Sequence, residues 1–257
     1  MFAAYALAVL TIIVASIAAL GVLRAVSPEV PDLELLSGVT GLIAGALASS
    51  TALILTVALV SQPFEAAALR LRPGRETGLD LATAVFGMLA LGQVLDSLAT
   101  LAGLGGTGSM PMIRRALAGV QGADLFAAVV VLGLMAGAAE ELFFRGYMQT
   151  RLRAAWPPGA AIVVTSVAFG LLHLEWVHAT MACILGLYLG AVTERTGSAL
   201  PAIVCHVVNN VVYTLQTALG LGLVSRDGNL AGAVIGAVLL GACVLWVRRA
   251  APGSTPV

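Results

Sequence analysis

Two adjacent acids and an arginine stand inside a strongly apolar stretch, where ionisable side chains are costly and usually mark function. Glu141 and Arg145 are four residues apart, so on a helix they share a face and can form an ion pair. Glu140 points about 100° away from that face. Because the pair neutralises Glu141, Glu140 is left to accept a proton, which is the role of a general base. A packing network between helices fits the same pattern.

Two histidines follow in later apolar stretches, each with a partner at helical spacing. Phe169 and His173 share a helix face, which places an aromatic ring one turn from an imidazole. His206 and Asn210 share a face in the same way, so a ring nitrogen and an amide can converge on one polar cavity. Each pair alone is also typical of hydrogen bonds between membrane helices. His178 falls on a different face of a continuous helix, and we do not select it.

The elements that must position these residues are membrane helices. Of the 257 residues, 60% are hydrophobic and 10% are charged, and the mean hydropathy is +1.01. This composition excludes a soluble globular fold. Since a membrane helix needs about 20 apolar residues, the chain predicts an all-α, polytopic bundle of about eight transmembrane helices. The predicted spans cover residues 4–23, 38–60, 81–101, 124–148, 159–174, 177–192, 200–219 and 230–247.

Charge placement predicts partners and orientation. The formal net charge is +0, which argues against the clustered basic surface that nucleic acid requires as a partner. One end of the predicted bundle is richer in arginine and is therefore expected in the cytoplasm, together with both termini of a cell-membrane protein. The richer end carries Arg70, Arg72, Arg75, Arg151, Arg153, Arg195, Arg248 and Arg249, and the other end carries Arg24, Arg114, Arg115 and Arg226.

We expect one integral membrane domain over residues 1–257, in which residues 124–219 carry the motifs. The connection 62–80 either lies along the cytoplasmic membrane interface or forms an ordinary solvated loop. Glu140 lies near the cytoplasmic end of its predicted span, whereas His173 lies about 22 Å beyond Pro158. The two side chains meet only if their helices extend past the membrane, so we predict a protruding helical hairpin.

Together, the three motifs point to a known family. They are, in order, Glu140-Glu141-x-x-x-Arg145, Phe169-x-x-x-His173 and His206-x-x-x-Asn210. Their order on successive apolar helices resembles the CPBP family of intramembrane proteases, also called the CAAX protease and bacteriocin-processing (Abi) family. The resemblance covers about the C-terminal half of the chain, and the first three predicted spans carry no family motif.

The resemblance implies an endopeptidase in the lipid bilayer, with a polar cavity that opens toward the cytoplasm. Its substrates would be membrane-associated peptides or proteins, including lipidated ones of the CAAX type. The implied catalytic residues are Glu140 and His173, which activate water, and His206 and Asn210, which polarise the scissile carbonyl and stabilise its oxyanion. The implied supporting residues are Glu141, Arg145 and Phe169.

The resemblance leaves the use of a metal open. A glutamate and two histidines can hold Zn²⁺ with one position left for water, and the ligands would be Glu140, His173 and His206. A metal-free glutamate mechanism uses the same residues. We favour the metalloprotease.

Other functions fit parts of the pattern. A membrane transporter also carries intramembrane charges, but no half-to-half repeat is evident. A catalytically silent relative that binds a peptide, as in immunity, would keep the same motifs. An aspartyl protease mechanism is supported only by Asp96, for which we expect a structural hydrogen bond. A serine protease mechanism is supported only by Ser109, which stands in a glycine-rich stretch typical of a flexible connector. The His-Glu-x-x-His motif of other metalloproteases is absent from the sequence.

Overall fold

The computed structural model describes residues 1–249, and this part of the chain is all helical. It contains α1 (Phe2–Val26), α2 (Asp32–Ser37), α3 (Val39–Val60), α4 (Gly78–Leu101), α5 (Met110–Leu117), α6 (Gly122–Arg153), α7 (Pro158–Leu171), α8 (Trp176–Thr196), α9 (Leu200–Ala218) and α10 (Arg226–Arg249). All helices except the short α2 and α5 correspond to predicted spans, so the predicted all-α membrane bundle is confirmed. Residues 250–257 of the predicted domain, and the side chains of Arg248 and Arg249, lie outside the described residues.

Helix length separates the spans from the shorter elements. In the described part of the chain, α1, α3, α4, α6, α8 and most of α10 are long and apolar enough to cross a bilayer. The chain is therefore an integral multi-pass membrane protein. In contrast, α7 has 14 residues. At 1.5 Å per residue this is about 21 Å, which is less than the hydrocarbon core of about 30 Å.

The hairpin of α6 and α7 brings the first two motifs to a similar distance from the turn that joins these helices. α6 has 32 residues and continues to Arg153, beyond its predicted end at residue 148. Pro158 begins α7, where the missing N–H of proline has no helical partner to lose. Glu140 and His173 each lie about 20 Å from the turn that joins the helices. The length of α6, about 48 Å at 1.5 Å per residue, supports the predicted protruding hairpin.

α6 is not a uniform α-helix. Ala136–Glu141 is α-helical, whereas Val129–Met135 before it and Leu142–Gln149 after it are π-helical. In the wider turns of the second stretch, Thr150 Oγ1 donates to the carbonyl oxygen of Arg145 five residues earlier, at 3.0 Å. π turns are rare and often lie at functional sites. Here they flank the turn that carries the two acids.

Small residues allow α6 to approach its neighbours closely. A Cβ atom on Gly137 would lie only 3.1 Å from the backbone nitrogen of Val207 in α9. A Cβ atom on Gly186 in α8 would lie 3.1 Å from Nη2 of Arg145. Such small residues are the usual contacts between membrane helices. They bring together α6, α8 and α9.

The connection between α3 and α4 is held against the bundle. The side chain of Leu69 is 1% exposed and packs in the core. Next to it, Arg70 donates to Glu194 in α8 at 2.7 Å. Gln149 and Arg153 also donate to Glu194, at 3.0 and 2.8 Å, and we call these four polar residues the Glu194 cluster. An ordinary solvated loop does not bury a leucine in this way. The predicted alternative of a solvated loop is therefore wrong for Leu69 and Arg70.

The opposite end of the bundle has ion pairs of its own. Arg114 in α5 pairs with Asp96 in α4, which supplies the structural hydrogen bond expected for that acid. Arg24 at the end of α1 pairs with Asp32 at the start of α2. Arg24 and Arg114 therefore lie at the end of the helices opposite to Arg70 and Arg153.

Candidate active site

Glu141 and Arg145 form a buried ion pair across one turn of α6. Arg145 Nη1 donates to Glu141 Oε1 at 2.8 Å, and neither side chain is accessible to solvent. Arg145 Nη2 donates to the carbonyl oxygen of Gly186 at 2.9 Å. The pair expected from the spacing is present, and it also attaches α6 to α8.

The imidazole of His206 lies between the two acids. Its Nδ1 is 2.8 Å from Glu141 Oε1, and its Nε2 is 3.5 Å from Glu140 Oε2. A carboxylate only accepts hydrogen bonds, so Nδ1 of His206 carries the proton that it donates to Glu141. On the other side, Nε2 of His206 faces the carboxylate of Glu140, and a proton on either group would link the two. We call Glu140, Glu141, Arg145 and His206 the Glu140 cluster.

The two carboxylates of the Glu140 cluster differ in how they are paired. Buried charges persist when they are paired and hydrogen-bonded. Glu141 Oε1 meets this condition, because it accepts from both Arg145 and His206. Glu140 instead faces Nε2 of His206, so the cluster places an acid beside a base, which is the arrangement that general acid–base chemistry uses.

Phe169 of α7 is the point at which the three motifs meet. Its ring centroid lies 5.1 Å from that of His173 and 5.7 Å from that of His206, both edge to face. Arg145 Cζ lies 5.1 Å from the same ring, in cation–π geometry, and Phe144 closes another side at 5.1 Å. These contacts fix the orientation of the rings. The aromatic ring expected behind His173 thus also contacts the other two motifs.

His173 lies beyond the end of α7, although the sequence predicted the helix to continue to residue 174. The helix ends at Leu171, and Leu174 adopts a left-handed φ of 58°. Nδ1 of His173 is 3.1 Å from the carbonyl oxygen of Phe169. Since a carbonyl only accepts, a neutral His173 donates from Nδ1 and keeps its lone pair on Nε2. Nε2 is therefore the atom that can accept a proton.

Asn210 lies one turn after His206 on α9. Its Nδ2 donates to the carbonyl oxygen of Leu132 at 3.3 Å, in the first π-helical stretch of α6. Asn209 donates to its Oδ1 at 3.5 Å. The amide of Asn210 is thus oriented by the backbone of α6, and the second hydrogen on its Nδ2 is the one available to a ligand.

Comparison with known proteins finds a family similarity in the segment that contains these residues. Residues 122–212 match the family model described as Type II CAAX prenyl endopeptidase Rce1-like. Because these residues are similar to that family, we call them the Rce1-like segment. It begins with α6 and ends just after Asn210, so it contains all three motifs. The predicted resemblance to the CPBP family is confirmed, and the family supports a protease. No curated protein and no solved structure matches the chain.

The Rce1-like segment contains one further residue beside the motifs, which sequence reasoning missed. The ring of His178 lies 4.2 Å from that of His173, centroid to centroid. The sequence set His178 aside because one continuous helix would point it elsewhere, but α8 begins anew at Trp176. Glu175 accepts the backbone N–H groups of Val177 and His178, and these bonds lower the pKa of Glu175 below its ordinary value. An acid at the N-cap was the signal for this helix start.

The donor set does not fit the predicted three-ligand zinc site. In the described part of the chain, no three His, Cys, Asp or Glu side chains are grouped closely enough to hold a metal ion. Glu140 and His206 face each other, but His173 is not a third member of a ligand set with them. Zn²⁺ in the Rce1-like segment stays a prediction, and we derive no catalytic step through it.

The predicted polar cavity between His206 and Asn210 also stays a prediction. A cavity of about 210 Å³ lies elsewhere, against the connection between α3 and α4. Glu65, Leu69 and Arg151 contribute to its lining, which includes no motif residue of the Rce1-like segment.

Proposed function

We propose that the chain is an intramembrane endopeptidase of the CPBP type, acting on membrane-associated or lipidated, CAAX-type proteins or peptides. The observation that carries this proposal is that Glu140 lies beside His206, while His206 and His173 both pack against Phe169. Peptide hydrolysis needs a base for water, an acid for the leaving amine and donors for the oxyanion. This group of side chains offers each of the three.

Glu140 is the proposed base. Its carboxylate has His206 at 3.5 Å as its neighbour, and 20% of its side chain is accessible, whereas Glu141 is fully buried and bonded to Arg145. A water molecule can therefore reach Glu140 but not Glu141. In the reaction, the water oxygen bonds to the carbonyl carbon and its proton moves to Glu140. The protonated Glu140 then gives this proton to the leaving amine as the carbon–nitrogen bond breaks.

His173 is proposed to act on the same water. Its Nε2 lone pair is left free by the hydrogen bond from Nδ1 to the Phe169 carbonyl. A hydrogen bond from water to this nitrogen orients the oxygen lone pair for attack. His173 therefore positions the nucleophile and lowers the cost of its deprotonation.

His206 and Asn210 are proposed to stabilise the oxyanion. The hydrogen bond from Nδ1 to Glu141 directs Nε2 of His206 toward the side on which Glu140 lies. When Nε2 is protonated, it can donate to the developing oxyanion, together with the second N–H of Asn210. Removing one such donor costs about a hundredfold to a thousandfold in rate in enzymes that use them.

We propose further that the arginine-rich end, with both termini, faces the cytoplasm of the cell. The Glu194 cluster gathers Arg70 and Arg153 at that end. Positive residues are retained on the cytoplasmic side of membrane proteins. Substrate would then approach from that side or from within the bilayer.

The test is cleavage of a fluorogenic peptide library, including prenylated peptides, by the detergent-purified full chain. We expect the wild type to cleave, and His173→Gln and His206→Gln each to lose at least about a hundredfold in rate. Glu34→Gln, in an exposed acid of α2, is the matched control and should cleave like the wild type. Absence of wild-type cleavage, or full activity of both histidine variants, would refute the proposal.

The same assay decides on the metal. Cleavage that a chelator abolishes and Zn²⁺ restores would support the metalloprotease, with Glu140, His173 and His206 as ligands after rearrangement. Cleavage that is insensitive to the chelator would support the metal-free glutamate mechanism.

A further inference from the structure

His178 and His173 form a pair of imidazoles at the edge of the proposed site. The chain has three histidines, and the third, His206, belongs to the Glu140 cluster. The centroids of the paired rings are 4.2 Å apart and the ring planes are tilted by 56°. At this separation the two rings are in direct van der Waals contact, so neither can rotate freely without displacing the other.

The turn between α7 and α8 creates this contact. The chain reverses direction in a few residues, with the N–H of His173 bonded to the carbonyl oxygen of Gly170 at 3.0 Å. Glu175 then caps the first turn of α8 by accepting from the backbone nitrogens of Val177 and His178, at 2.9 and 3.0 Å. The cap fixes where α8 starts and therefore which way His178 points.

A second segment holds His178 by a ring nitrogen. Ser109 Oγ, at the start of α5, lies 3.3 Å from Nδ1 of His178. Glycine at position 108 permits this approach, because a Cβ atom there would lie 2.2 Å from the carboxyl carbon of Glu175. The stretch predicted to be a flexible connector is thus docked on the first turn of α8. His178 is held by its own helix and by this connector.

We propose that His178, oriented by Ser109, is a positioning residue that holds the imidazole of His173 in its catalytic orientation. This proposal rests on the endopeptidase function proposed above. His173 stands outside a helix, so its backbone alone does not restrain it. One hydrogen bond to the Phe169 carbonyl and two ring contacts, with Phe169 and His178, define its position. Of these restraints, the one from His178 belongs to no family motif.

The kinetic test separates positioning from substrate binding. In the purified full chain we expect His178→Ala to lower kcat about tenfold with KM within twofold, because His173 still exists but is misplaced. His178→Phe, which keeps a ring at this position, should restore most of kcat, and Ser109→Ala should lower it by a smaller factor. Thr180→Ala is the control, since this exposed hydroxyl bonds only the carbonyl oxygen of Trp176 in its own helix.

Three kinetic results would overturn the proposal. The first is a kcat of His178→Ala within twofold of the wild type, and the second is an effect of this substitution on KM alone. The third is a fall in kcat that His178→Phe does not reduce, since a ring at this position should still orient His173.

A measurement without substrate keeps this proposal distinct from the proposed function. Ring-¹⁵N-labelled histidine gives one set of imidazole signals for each of the three histidines. In His178→Ala we expect the signals of His173 to shift and those of His206 to stay in place. Unchanged His173 signals would refute the positioning role even if the wild type cleaves peptides. Absence of cleavage with shifted His173 signals would instead refute the proposed function alone.

Discussion

Two polar clusters share α6, and their acids differ in what they bond and in how far water reaches them. In the Glu194 cluster, both carboxylate oxygens of Glu194 accept from charged donors, Arg70 on one and Arg153 on the other. In the Glu140 cluster, Arg145 and His206 both donate to Oε1 of the fully buried Glu141, and Glu140 faces only an imidazole at 3.5 Å. An acid that is saturated by arginines holds helices together. An acid with a free oxygen that water can reach can exchange a proton.

The comparison also explains why the pattern of adjacent acids is useful. Neighbouring residues on a helix point about 100° apart, so Glu140 and Glu141 meet different surroundings although they share a depth. Glu141 accepts from Arg145 on its own helix and from His206 in α9. This arrangement leaves Glu140 as the acid with partial access to water.

Glu140→Gln is the change with the largest expected effect on activity. The amide keeps the size of the side chain but cannot take a proton from water, so we expect kcat to fall about a thousandfold. Thermal unfolding in detergent should change little, because Glu140 has no arginine partner to leave unpaired. Peptide cleavage and the unfolding midpoint are measured on the same preparation. A variant that keeps more than a tenth of wild-type kcat would break the distinction between the two acids.

Arg145→Met should have the largest effect on stability. It leaves the buried carboxylate of Glu141 without its guanidinium, and loss of one partner from a buried pair costs about 3–5 kcal/mol. Arg153→Met in the Glu194 cluster is the matched control. Its side chain is 28% accessible, so water compensates and the expected cost is about 1 kcal/mol or less. Equal losses in denaturant unfolding would show that burial does not separate the clusters.

Gly186→Ala tests the helix contact that both clusters depend on. The added Cβ would lie 3.1 Å from Arg145 Nη2 and 3.2 Å from the Cα atom of Ser166, so a neighbour must shift. Overpacking of this kind costs about 1–3 kcal/mol. Gly45→Ala in α3, where nothing lies within 4 Å of the added atom, should be neutral or slightly stabilising. If Gly45→Ala is as damaging as Gly186→Ala, the close approach of α6 and α8 is not the cause.

The sequence predicted the parts of this site that depend on local spacing. Apolar stretches predicted the spans, and the four-residue spacing of Glu141 and Arg145 predicted an ion pair because i and i+4 positions meet on an α-helix. The spacing of Phe169 and His173 likewise predicted a ring contact that the structure contains. These inferences needed no knowledge of how the helices pack.

The features that the sequence did not predict depend on long-range contacts or on broken periodicity. The π-helical stretches of α6 have no side-chain signature that differs from an α-helix of apolar residues. The anchoring of Arg70 by Glu194 joins residues 124 positions apart. His178 was set aside on the premise of a continuous helix, although the predicted spans themselves break between residues 174 and 177. In the structure, Leu174 has a positive φ and Glu175 caps a new helix.

Glu194→Gln should have the smallest effect on stability and cleavage. It is also the most direct test of the difference between the Glu194 cluster and the Glu140 cluster. Arg70 and Arg153 lose a charged acceptor, but both are partly exposed, so we expect a stability loss of about 1 kcal/mol or less. Cleavage should remain within twofold of the wild type, because a saturated acid exchanges no proton. The substitution is chemically identical to Glu140→Gln on the neighbouring helix. A comparable fall in kcat for both variants would mean that the Glu194 cluster takes part in the reaction, and that a saturated acid is not merely structural.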